Sequence, residues 1–199
     1  MVTVLIVHSA LGLRPAITEL AETVIALGHS AVAPDFFGGQ TFGGGATGYE
    51  EALAHLKEHG QIAGQRVEEA YAALPGPVVT LGFSWGAGHA QRLAEREERI
   101  VGALLVGGGE RYGGEWDDGG RWRGGTPLAC HWMVEDPWLD TAAHAALVTE
   151  AASSGSDVSD YVYPGDGHLF MDAGLPEEYS REAAELFRAR VEGFLSRFL

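Results

Sequence analysis

The sequence predicts an α/β protein, a mostly parallel, doubly wound sheet flanked by helices. Two observations predict it. Six short, continuously apolar runs alternate with amphipathic helical stretches, the pattern of strands buried on both faces and joined by crossover helices. The 199 residues, 46% hydrophobic with a mean hydropathy of −0.02, are enough for one domain spanning 1–199 with a substantial core.

The elements follow in order. The first strand is expected at 3–8, where the chain reads Thr-Val-Leu-Ile-Val-His. A helix over 15–27 follows, with Pro15 in a first helical position and Gly28 as its C-terminal cap. A short strand at 30–34 leads to a six-glycine loop at 38–48. Helices are expected at 49–56 and 62–73, then a strand at 78–83 and a helix at 87–96. A strand at 101–107 opens into a nine-glycine loop at 107–125. A strand at 128–134, a helix at 139–153, a strand at 158–163 and a helix at 177–198 complete the chain. Both glycine-rich loops follow strands, and in such sheets function gathers at the carboxyl ends of the strands. The second loop is expected to form a pocket wall, because its tryptophans need cover. The first fits a wall and a plain surface connection equally well.

Charge and composition exclude several classes. The net charge is −15, with 12 Arg and a single Lys, Lys57, and no basic cluster, so neither nucleic acid nor an anionic membrane surface is an expected partner. No apolar run approaches the ~20 residues that span a bilayer, and residues 2–7 carry no signal-peptide pattern. Cys130 is the single cysteine, which excludes an intramolecular disulfide and a cysteine-based metal cluster. A cytoplasmic enzyme, monomeric or homodimeric and without metal or organic cofactor, is expected.

The most informative segment is Gly82-Phe83-Ser84-Trp85-Gly86, placed between a strand and a helix. A Gly-x-Ser-x-Gly at such a break is the nucleophile elbow of the α/β-hydrolase fold. The turn pushes the serine out of the sheet, and its crowding demands small residues two positions to either side. A serine hydroxyl needs a base, and the base needs an orienting carboxylate, in the chain order Ser, acid, His. Beyond the elbow's helix, His131 falls inside a strand and His144 among helical alanines, whereas His168 lies in a glycine-rich loop just past the last strand. His168 is the expected base. The acid expected after the preceding strand is Asp136, which Pro137 favours over Glu135; Asp140 and Asp166 are the alternatives, and a helix N-cap is the other use of Asp136. The backbone N–H groups of Trp85, just after the serine, and Ala10, in the loop after the first strand, are expected to form an oxyanion hole. Phe36, Phe37, Trp85, Trp116, Trp122 and Trp138 suggest an aromatic pocket, and His8 a buried, hydrogen-bonded wall residue.

Over nearly its whole length the chain resembles the dienelactone hydrolase family. The likeness rests on Val4-Leu5-Ile6-Val7-His8 with Leu11-Gly12-Leu13, on residues 33–38, on Leu81 through Ala87, on residues 127–131 with Asp136, and on Tyr163 with Gly167-His168. The resemblance implies an α/β-hydrolase fold and a Ser84–Asp136–His168 triad acting on a small ester or lactone. Three departures accompany it. Ser84 stands where the type enzyme has cysteine; Ser9, a pocket residue by this likeness, stands where the family has glutamate; and Leu169-Phe170-Met171-Asp172 lacks the arginine that grips a dienelactone carboxylate. An anionic dienelactone is therefore not the expected substrate. The rival readings are a catalytically silent binding protein on this fold, and acyl transfer or a lyase step by the same residues.

Overall fold

Six apolar runs pair, every neighbour parallel, into one sheet of order β2-β1-β3-β4-β5-β6. The computed structural model describes residues 1–109 and 120–199. The strands are β1 Thr3–Val7, β2 Ser30–Val32, β3 Val78–Phe83, β4 Ile100–Val106, β5 Leu128–Met133 and β6 Val158–Tyr163. The helices are α1 Pro15–Ala26, α2 Gly45–Ala73, α3 Trp85–Arg96, α4 Thr141–Ser153 and α5 Arg181–Leu195, and a 3₁₀ turn, Ser196–Phe198, follows α5.

Alternate strand residues feed two cores, which is why the runs are apolar throughout rather than every second residue. Val4, Ile6, Leu81 and Leu104 meet Ile17, Leu20 and Val24 of α1 and Phe187 and Val191 of α5. Leu5, Val7, Ala103 and Leu105 meet Val67 of α2, Leu93 of α3 and Leu147 of α4. The strand order reverses between β1 and β3, so the crevice at such a switch point opens between the loop after β1 and the start of α3. The expected Ala10 and Ser84 stand on those two segments.

Beyond shifts of one or two residues at strand ends, at the end of α1 and at the start of α3, three helices differ from expectation. The segments 49–56 and 62–73 are one helix, α2, of 29 residues. A glycine inside a helix costs only about 1 kcal/mol against alanine, and Gly60 lies on a buried stripe with Ala63, Val67 and Tyr71, whose packing outweighs it. Helix α4 starts at Thr141 because the Asp140 carboxylate accepts the Ala142 and Ala143 N–H groups, each at 3.0 Å. Helix α5 starts at Arg181, capped by the Ser180 side chain, which leaves 177–180 in the turn before it. Among the described residues no helix is long and apolar enough to cross a membrane.

Candidate active site

The elbow is built by close approach. A Cβ on Gly82 would stand 2.2 Å from the Gly86 carbonyl oxygen, and one on Gly86 2.3 Å from that of Val7, so neither position admits a side chain. Between them Ser84 adopts φ 52° and ψ −114°, the one non-glycine positive φ among the described residues. That backbone costs about 1–3 kcal/mol and persists because the surroundings dictate it. The Ser84 N–H donates to Val106 O at 2.8 Å, tying the turn to the end of β4.

His168 reaches Ser84 from the turn after β6. Its Nε2 lies 2.7 Å from Ser84 Oγ, and its Nδ1 lies 2.8 and 3.0 Å from the two Asp136 oxygens. A carboxylate only accepts, so Nδ1 carries the proton and Nε2 offers a lone pair to the serine hydroxyl. The Asp136 side chain is fully buried, and Asp136 Oδ1 also accepts the Trp138 N–H at 2.9 Å. That second bond fixes the carboxylate in an Asx turn just past β5. Of the other acids considered for this role, Asp140 caps α4 and Asp166 is exposed.

Ala10 and Trp85 flank the crevice. Among the described residues neither backbone N–H is engaged in a hydrogen bond. Trp85 opens α3, where the first N–H groups of a helix lack internal partners and carry its positive end. Ser9 is buried and turns back on its own loop: its Oγ accepts the Leu11 N–H at 3.1 Å and its carbonyl accepts the Gly12 N–H at 3.1 Å. It shapes the turn that presents Ala10 rather than lining a pocket.

The aromatic residues divide. Phe36 and Phe37 are buried beneath the site, against His8 and Trp85. His8 is held neutral from both sides, with Nδ1–H donating to Ser9 O at 2.8 Å and Nε2 accepting the Phe36 N–H at 3.1 Å. Burial lowers its pKa, against smaller opposing effects of the Ser9 bond and Asp35. Trp122 does not belong to the site. Its indole N–H donates to Thr126 O at 2.9 Å and its backbone N–H to Glu150 Oε1 at 2.9 Å, just before the start of β5. A connection between parallel neighbours must cross from the carboxyl end of β4 to the amino end of β5, and Trp122 stands after that crossing. Trp116 lies outside the described residues. The start of the same loop does line the site: a Cβ on Gly108 would come 2.8 Å from Ser84 O, and one on Gly107 3.2 Å from the His168 ring.

Sequence reasoning missed Tyr49 and Glu178. The Tyr49 ring lies 6.1 Å from that of His168 and 5.2 Å from that of Trp138, and its hydroxyl donates to Glu178 Oε2 at 3.0 Å. It also passed over His55 and His59, one helical turn apart on α2, where the rings stand 4.6 Å apart beside Phe37 and Phe42.

Among the described residues one group of metal-ligand types comes together, Cys130, His144 and Asp160, each with an atom within 4.8 Å of the others. Its chemistry suits an ion pair better. His144 Nε2–H donates to Asp160 Oδ1 at 3.0 Å, and Trp132 Nε1–H donates to the same oxygen at 2.8 Å. A metal on Nε2 would move that proton to Nδ1, which is buried with no acceptor among the described residues. Burial also drives the Cys130 thiol well above its ordinary pKa, away from the thiolate a metal needs.

Fold and site together define a hydrolase of the α/β-hydrolase class. The sequence pattern of the dienelactone hydrolase family matches residues 1–199, and the chain belongs to that family. Its enzymes are esterase-like hydrolases, and this chain is one. A search of curated proteins finds no match. Among solved structures, a dienelactone hydrolase-like promiscuous phosphotriesterase from metagenomic libraries superposes with a TM-score of 0.73 at 20% identity, covering 99% of this chain and 86% of that one. A protein named m3DLH gives 0.74 at 19%, covering 98% and 85%. A lipase in an open form gives 0.63 at 13%, covering 98% and 90%.

Proposed function

We propose that this protein is a serine hydrolase that cleaves a small, uncharged carboxylic ester or lactone through an acyl-enzyme intermediate, with Ser84, His168 and Asp136 as its triad. The observation that carries the reading is the continuous chain from Ser84 Oγ through both His168 nitrogens to Asp136, at 2.7 and 2.8 Å. Ser84 Oγ attacks the carbonyl carbon while its proton passes to His168 Nε2. Asp136 orients the imidazole and stabilises its charged form. The oxyanion accepts the Ala10 and Trp85 N–H groups, each such donor being worth roughly 10²–10³ in kcat. His168 then protonates the departing alcohol oxygen as the carbon–oxygen bond breaks. In the second half water attacks the acyl carbon, His168 takes its proton, and Ser84 leaves as the alcohol.

Preference for an uncharged substrate has two supports. Leu169, Phe170 and Met171 are buried where a carboxylate-gripping arginine would be needed, and nearby Arg14 is already paired with Asp172 and with Phe42 O. A net charge of −15 also repels anions at a distance. Cytoplasmic residence, as a monomer or homodimer, suits a chain with one cysteine.

A fluorophosphonate probe tests the reading. It is expected to add one label, mapped by peptide mass to Ser84, and a panel of acyl-chain lengths and lactones then ranks substrates. Absence of label on folded protein, or a label on another residue, overturns the assignment.

A further inference from the structure

We propose that Tyr49 and Glu178 are positioning residues for His168, a hydrogen-bonded clamp that holds the histidine turn on the nucleophile. The inference rests on the triad reading above.

The turn carrying His168 leans on Glu178 at two points, and Tyr49 of α2 meets Glu178 at a third. Leu169, the next residue in the chain, donates its N–H to Glu178 Oε2 at 2.8 Å. Gly167, the residue before, lies so close that a Cβ there would stand 2.1 Å from the Glu178 carbonyl oxygen. Tyr49 donates its hydroxyl to the same Oε2 at 3.0 Å, while its ring stands edge-on to the His168 ring at 6.1 Å. Trp138 flanks the imidazole at 6.1 Å as well, and packs on Tyr49. Asp136 fixes how the imidazole is turned. It does not fix where the backbone of a turn rich in glycine puts it.

The arrangement also accounts for the first glycine-rich segment. Gly44 passes so close to the 175–178 turn that a Cβ would stand 2.8 Å from Leu175 Cδ2 and 3.7 Å from Glu178 Oε1. The glycines let the start of α2 press against that turn, and Tyr49 lies in the second turn of the same helix. Burial, then the Glu178 carboxylate, raise the tyrosine's pKa, so its hydroxyl keeps its proton and goes on donating.

The test is steady-state kinetics on four variants, each checked for folding by thermal melting, with fluorophosphonate labelling rates alongside. Tyr49→Phe keeps the ring and removes one donor; kcat is expected to fall about tenfold with KM unchanged, the lower end of the scale for a hydrogen bond to a charged acceptor. Glu178→Ala removes the shared acceptor and is expected to cost more than Tyr49→Phe. Glu178→Gln retains an acceptor oxygen and is expected to recover most of that loss, which a role resting on charge would not allow. Labelling rates should follow kcat. Wild-type kcat and labelling in Tyr49→Phe, or Glu178→Gln as impaired as a folded Glu178→Ala, overturns the clamp. If Glu178→Ala does not fold, Tyr49→Phe decides. Ser84→Ala separates the two levels: an active Ser84→Ala overturns the triad reading, whereas an inactive one beside a fully active Tyr49→Phe overturns the clamp alone.

Discussion

Two histidine–aspartate bridges are built around β5 and β6, alike in the bridge and in the burial of the imidazole but different in what surrounds them. His168 meets Asp136 at 2.8 Å, and His144 meets Asp160 at 3.0 Å. Both imidazoles are buried. Asp136 stands just past the carboxyl end of β5, fully buried, while Asp160 sits within the edge strand β6 with its side chain 31% exposed. Beyond His168 lies a hydroxyl on a strained elbow; beyond His144 the second nitrogen is buried and meets no partner among the described residues. The pair alone is therefore an orienting device. In the proposed mechanism it serves catalysis only where a hydroxyl stands on the far nitrogen, as Ser84 Oγ does at His168.

The sharpest way to break the contrast is Ser84→Ala. Loss of the nucleophile is expected to lower kcat by roughly 10⁶-fold, with the melting temperature little changed, since alanine keeps the same positive-φ backbone and only the hydroxyl is removed. Turnover near wild type would mean that the elbow carries no chemistry.

The two aspartates separate next. Asp136→Asn should lower kcat about 10⁴-fold by favouring the wrong His168 tautomer, with KM little changed. Asp160→Ala should leave kcat alone and lower stability by about 1–3 kcal/mol, because the His144 and Trp132 N–H groups lose their acceptor. Urea melts and kinetics on both proteins decide it. The reverse pattern would exchange the roles of the two bridges.

Acid should expose a third kind of histidine, one held neutral by the core. Burial, then the charge of Arg190, push His131 down to about 3, and burial takes His89 to about 4. Between about 3 and the unfolded value of 6.5 the unfolded chain binds more protons than the folded one at His131. Stability therefore rises with pH across that window, is complete above 6.5 and drains away on acidification. His131→Gln should flatten part of that slope in urea melts taken from pH 4.5 to 7.5, about the window in which histidine titrates. A wild-type stability that does not change across it would refute the neutral assignment.

The smallest effect is expected at Trp122. Trp122→Phe removes the indole bond to Thr126 O and should cost about 1 kcal/mol, while kcat stays at the wild-type value. A clear loss of kcat would return Trp122 to the site.

Which residues the sequence revealed follows from the range of the physics involved. The strands were legible because their apolar runs are continuous rather than alternating, and the elbow because its glycines, serine and following helix fall within one short stretch; of the two glycines, Gly82 answers a clash inside that stretch and Gly86 one with Val7 of β1. Asp136 stood out through Pro137, although Asp140 offered the same carboxylate until the helix cap claimed it. The unity of α2 was not legible, because the packing that outweighs Gly60 comes from elements distant in sequence.

By itself, then, the sequence determined the class of sheet, the elbow and the chain order of serine, acid and histidine, all of them local patterns repeated or spaced along one strand of text. Only the tertiary structure decided which aromatic rings surround His168. Phe36 and Phe37 went beneath the site and Trp122 to the opposite edge of the sheet, while Tyr49 arrived from α2 and Glu178 from the turn before α5. The physical reason is that pocket walls are made where loops from separate crossovers meet. Their meeting depends on helix lengths, close approaches and strand order taken together, and no single stretch of residues carries that information.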